Sequence, residues 1–175
     1  YSFNPIDEGY DYDFFNHTER SRQADTHEIR IHNNPLNKLS IILGLYSSNI
    51  SEFEDAEGYL FGGDATNVDC TFDITNTAFY SEATYAIKPS IKMLINMRTE
   101  THKMNYNGTS LNYGEELPYV ALNTENSHFG GKIAIINQLN ENTSRSISIS
   151  RGFKAGGINQ NPYLSDDSRL FSPES

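Results

Sequence analysis

The sequence predicts an all-β protein, an antiparallel β-sandwich of jelly-roll type with about eight strands, and three observations carry that expectation. In residues 85–97, Tyr85, Ile87, Pro89, Ile91, Met93, Ile95 and Met97 share one parity, while the other parity carries Ala86, Lys88, Ser90, Lys92, Leu94 and Asn96. Only an extended strand places such a set on one face, and a wet opposite face marks a sheet with one buried side. Second, no segment carries an apolar stripe at helical spacing, and no fixed repeat is visible. Third, Asn, Ser and Thr supply 49 of 175 residues while apolar residues reach 37%. That balance suits a thin sandwich with polar loops, its core built from 11 Tyr and 10 Phe in the absence of Trp.

Taken in order, the elements divide the chain into three parts. Residues 1–25 mix Asp7, Glu8, Asp11 and Asp13 with Tyr10, Tyr12, Phe14 and Phe15 without sustained alternation, and read as an extended acidic and aromatic arm. Residues 26–155 form the sandwich domain. Residues 26–32 alternate His27, Ile29 and Ile31 against Glu28, Arg30 and His32, and residues 39–46 alternate Leu39, Ile41, Leu43 and Leu45. Glu52, Glu54, Asp55 and Glu57 read as an acidic loop before a short strand at 59–61. Residues 68–75 place Val68, Cys70, Phe72 and Ile74 inward, and one long strand follows at 85–97. Asn107-Gly108 fits a two-residue type I′ turn, giving a hairpin over 101–113. Strands at 118–122, 132–139 and 144–153 complete the set, with Ile147 and Ile149 facing in and the last two strands joined by Asn140, Glu141, Asn142 and Thr143. Residues 156–175, with Pro162 and Pro173, read as an irregular C-terminal tail.

Composition narrows the function. Thirteen basic against 23 acidic residues give a net charge of -10 with no basic cluster, which disfavours a phosphate-backbone partner, so no nucleic acid is expected. No run approaches the roughly 20 apolar residues of a membrane-spanning helix, and a soluble chain with no membrane partner is the expectation. Cys70 is the single cysteine and reads as a small core hydrophobe.

No arrangement of residues selects a catalytic centre. His27 and His32 are five apart rather than four, so on a strand they fall on opposite faces and do not form a metal pair. The acidic arm lacks the Gly and Glu positions of a calcium loop. A nucleophile elbow is missing, and Gly62-Gly63 and Gly130-Gly131 do not open a helix that could cradle phosphate. Catalytic, cofactor-binding and metal residues are therefore none, and the chain is expected not to be an enzyme and to need no cofactor.

What remains is a structural subunit of a repeated assembly: a virion component such as a capsid decoration, spike, neck or tail protein, or an extracellular filament subunit. Copies of itself and other structural subunits would be its partners, in a virion or extracellular setting. Exposed rings on extended segments are natural anchors, which nominates Tyr10, Tyr12, Phe14, Phe15, Tyr163, Leu170 and Phe171 as subunit contacts. The alternative is a carbohydrate-binding β-sandwich or adhesin using Tyr rings and Asn side chains.

Overall fold

The computed structural model of the protein describes residues 14–33, 38–60, 63–112, 114–159 and 164–174. Six strands form most of a seven-stranded sheet in sequential order: β1 (Phe14–His32), β2 (Leu39–Leu60), β3 (Gly63–Lys88), β4 (Ile91–Asn112), then β6 (Val120–Asn140) and β7 (Thr143–Arg151). The two-residue β5 (Glu115–Glu116) pairs with the end of β4. Every pairing is antiparallel. A two-residue β8 (Gly157–Ile158), a four-residue α1 (Asp166–Arg169) and β9 (Leu170–Phe171) follow, with β8 and β9 forming a small ribbon.

The all-β antiparallel class is thus as the alternation dictates. The ribbon lies over one face of the large sheet, where Ile158 packs with Cys70, Phe72 and Tyr106, and there the layering is sandwich-like. Strand order is a meander, however, and the crossovers of a jelly roll are absent among the described residues. The expected strand segments fall in strands, but these are longer and several segments merge, with 39–46 and 59–60 both in β2 and 120–122 and 132–139 both in β6. β1 to β4 and β6 run 19, 22, 26, 22 and 21 residues, against a usual five or six.

Three local expectations need correction. The apolar parity of 85–97 spans two strands, because Pro89 and Ser90 form a turn between β3 and β4. Ile87 is left without a Cα partner, and this bulge brings Tyr85 opposite Met93 and Ala83 opposite Ile95, so parity survives the reversal. Asn107-Gly108 is no turn: both residues lie within β4, paired to β3 and β6. Gly108 serves close approach instead, since a Cβ there would meet the Tyr106 hydroxyl at 2.5 Å and the Cys70 Cβ at 3.1 Å. Finally, Glu52, Glu54, Asp55 and Glu57 are strand residues of β2. Arg20 of β1 hydrogen-bonds Glu54 and lies 3.3 Å from Glu52, which offsets the charge repulsion that suggested a loop.

β1 begins at Phe14, inside the stretch read as an arm, so residues 14–25 are strand backbone opposite β2. The polar junction of 132–139 with 144–153 is a turn at Glu141 and Asn142, between β6 and β7 as expected.

Candidate functional site

Away from the register shifts near strand ends, Cα partners in the large sheet have the same parity, so odd-numbered residues share one face and even-numbered residues the other. On the odd face, cross-strand rows read Ile29, Leu45, Phe79, Thr99, Phe129; then Ile31, Leu43, Ser81, Met97, Gly131, Arg151; then Ile41, Ala83, Ile95, Ile133, Ile149; then Leu39, Tyr85, Met93, Ile135, Ile147. These rows make one apolar band across six strands. Most of its side chains are exposed, with Ile147 and Ile149 each at 75%. The sequence places those two facing inward; in the structure no described residue covers their face.

The band has sharp limits. In β3 it runs from Phe79 to Ile87, roughly 27 Å at about 3.3 Å per residue. Toward the other end of the strands the next odd row is His27, Ser47, Thr77, Thr101 and Ser127, and beyond it come Asp25, Asn49, Thr75, Lys103 and Glu125. Aromatic rings mark both margins: Phe79 and Phe129 at the polar boundary, Tyr85 toward the turns.

Behind the band, the even face is polar. The Glu28 carboxylate accepts hydrogen bonds from the Tyr80 hydroxyl and from Arg30 at 3.0 Å, and Arg30 Nε donates to the Tyr80 oxygen at 2.9 Å. Gly44 stands between Arg30 and Tyr80 in the register, and a Cβ there would fall inside the Tyr80 ring. The missing side chain therefore lets the ring lie flat across β2 to reach β1. Alongside, Arg98 donates to Glu100 at 2.8 Å and sits 5.5 Å from the centre of the Tyr46 ring. Of these, Arg30, Tyr80 and Arg98 line, with Glu82, Asn96 and Lys132, an open groove of about 600 Å³.

Further along the same strands the polarity of the faces is exchanged. Here the even residues Val68, Cys70, Phe72, Met104, Tyr106, Val120 and Leu122 are apolar and pack around Ile158 of the ribbon. The Phe72 and Tyr106 rings meet at a tilt of 54° with centroids 5.0 Å apart. Cys70 is 1% exposed, and burial pushes its thiol up to about 11. Burial also raises the Tyr106 phenol, which hydrogen-bonds Arg169, a buried residue whose Nε donates to the Leu164 carbonyl at 3.2 Å. Phe153 stacks on His128 at 4.9 Å, so the chain after β7 folds back over the even face. His102 Nδ1–H donates to Asn76 Oδ1 at 2.6 Å, and desolvation lowers the His102 pKa.

Four of the seven nominated contact residues fall within the described structure. Tyr10, Tyr12 and Tyr163 lie outside the described residues, and the backbone of Phe14 and Phe15 pairs with Leu60 and Tyr59. Leu170 and Phe171 form β9, and the Phe171 ring covers Gly157 of its own ribbon. His27 and His32 fall on opposite faces of β1, and no cluster of three metal-ligating side chains occurs among the described residues. Sequence reasoning missed the band as a surface, although each strand's share of it was visible as same-parity aliphatics.

No protein-family model matches the chain, and a search of curated proteins finds no match either. Among solved structures the fold is similar to the ferric yersiniabactin uptake receptor FyuA from Yersinia pestis, with a TM-score of 0.78 at 14% identity over 92% of this chain. The chain spans 25% of that receptor's length. At this identity the likeness is one of fold: a meander of long antiparallel strands. No helix among the described residues is long and apolar enough to cross a membrane.

Proposed function

We propose that this chain forms part of the wall of a membrane-spanning β-barrel of the outer-membrane receptor kind, its odd face toward lipid and its even face toward an aqueous interior. One observation carries the reading: an exposed apolar band crosses six strands, with a charged, hydrogen-bonded face directly behind it. Barrel walls of this kind combine an outward apolar band about 25 Å tall, aromatic girdles, a polar interior and tilted spans of about 9–11 residues. The band's roughly 27 Å along β3 corresponds to about that number of residues. The likeness of fold to an uptake receptor supports the same reading. It replaces the expectation of a soluble chain without a membrane partner, which rested on the lack of helix-length apolar runs; a wall built of strands crosses with alternating residues and needs none.

Nitroxide scanning in phospholipid bilayers tests this. Labels at 79, 83, 95, 133 and 149 should be accessible to oxygen, and labels at 82, 96 and 132 to a water-soluble nickel chelate. Odd positions shielded from both reagents would mean that protein covers the band, and would overturn the proposal.

A second reading, the non-enzymatic subunit of a repeated assembly, draws on the edges of the sheet. β1 and β7 each pair on one side only among the described residues, and a free edge accepts a strand from a neighbour. Light scattering on the chain with and without residues 1–13, which precede β1, separates the readings: an assembly that dissolves into folded monomers on truncation favours the subunit.

A further inference from the structure

The apolar band has a notch. Gly131 occupies a band position on β6, with Met97 of β4 on one side and Arg151 of β7 on the other, and Phe129 and Ile133 before and after it on the same face. The missing side chain opens a groove of about 390 Å³ walled by Ile95, Met97, Phe129, Ile133 and Ile149, with Arg151 at one side. A Cβ on Gly131 would stand 3.0 Å from the Asn96 carbonyl oxygen and 4.0 Å from Met97 Cγ. Glycine is thus what keeps the floor of the groove open.

Arg151 is the charged residue among these band rows. It lies on the odd face, exposed, one row in from the Phe129 margin, and it makes no ion pair among the described residues. A guanidinium on the lipid face is costly at the bilayer midplane and tolerable near the interface. An arginine stem can lie along apolar surface while its head reaches the headgroup level, and its planar fork of donors fits a phosphate in two-point fashion. Groove and cation are therefore complementary to one amphiphile: an acyl chain in the groove and a phosphate on Arg151.

We propose that the groove over Gly131, with Arg151 at its mouth, is a binding site for an anionic phospholipid. The site rests on the membrane-wall reading and specifies which lipid the wall holds at this point. Arg145, at the turn end of β7 opposite Asn137, supplies the internal control: it is the same residue type on the same strand and face, and it lines no part of this groove.

The test is native mass spectrometry of the full protein in a zwitterionic detergent, titrated with phosphatidylglycerol or phosphatidylcholine of the same acyl composition. Wild-type protein should retain one phosphatidylglycerol in preference to phosphatidylcholine, with Arg151→Gln weakening that preference about tenfold, Arg151→Lys restoring part of it and Arg145→Gln leaving it unchanged. Circular dichroism confirms that each variant keeps its strand content. Equal retention of the two lipids by wild type, or an unaltered preference in Arg151→Gln, overturns the site. If nitroxides at 133 and 149 are lipid-accessible in the same preparation, that failure belongs to the lipid site alone; if they are not, the wall reading has failed as well.

Discussion

The two halves of β3 obey opposite rules. From 79 to 87 the odd residues are apolar apart from Ser81, with Phe79, Tyr85 and Ile87 exposed, while Tyr80 and Glu82 on the other face join a charged groove; from 68 to 72 the even residues are apolar and lie under a ribbon of the same chain. No bulge separates these halves in the pairing of β3 with β4, so the exchange of polarity is written in the sequence and not produced by a change of register. The difference lies in what covers each half. One apolar face is closed internally by Ile158 and its neighbours, and the other has no protein over it among the described residues. A single continuous sheet can therefore answer to two solvents, provided that the parity of its apolar residues switches where the surroundings do.

Substitutions that act differently in the two halves put this contrast at risk. The largest effect is expected in the covered half: Phe72→Ala should cost roughly 3–5 kcal/mol, because it removes a buried ring and leaves a cavity beside Tyr106. Urea unfolding checks it, and a cost below about 1 kcal/mol would show that the ribbon does not hold this cluster. Next, Ile133→Arg in the band should destabilise the protein in bilayers by about 2–4 kcal/mol. The same change at Thr71, on the polar stretch of the same face, should stay within about 0.5 kcal/mol. Equal effects at the two positions would erase the boundary between the halves.

Smaller effects sharpen the picture. Gly44→Ala displaces the Tyr80 ring from β2 and should cost about 1–3 kcal/mol through overpacking, with the loss of the contacts to Glu28 and Arg30 visible in the Tyr80 ring resonances. Cys70 gives the subtlest signal. Its thiol lies outside the band, and burial raises its pKa from about 9 to about 11. The neutral thiol is favoured in the folded state, so its contribution is fully present below pH 9 and is lost as pH rises from about 9 to 11. Unfolding free energies measured across that window should fall more for wild type than for Cys70→Ala. Thiol reagents at pH 8 should label Cys70 only on unfolding.

Much of the molecule is legible from parity alone. The alternation at 68–75 and at 39–46 falls within β3 and β2, and that at 85–97 groups residues of one face but not the turn that divides them into two strands, since side chains two apart on a strand must share a side. Failure came where one residue type serves two purposes. Gly108 follows Asn in the pattern of a tight turn, yet it sits mid-strand so that the Tyr106 ring can approach Cys70. Pro89-Ser90 ends β3 unseen because the bulge at Ile87 restores the parity that a plain two-residue reversal would have broken. The acidic run at 52–57 is a strand because Arg20 and Arg22 stand across from it, 34 and 30 positions away in sequence.

By itself, then, the sequence determined that the chain is built of strands, which side chains share a face within each, and that no site for catalysis is spelled out locally, because those properties depend on residues a few positions apart. Tertiary structure alone decided which strands are neighbours, that the apolar faces of six strands align into one band, that a glycine and an arginine meet at a notch in it, and that, among the described residues, the chain's own C-terminal segment covers one of its two apolar regions and not the other. Such properties depend on register and on contacts across tens of residues, and alternation, which repeats identically on either side of any slip, carries no record of them.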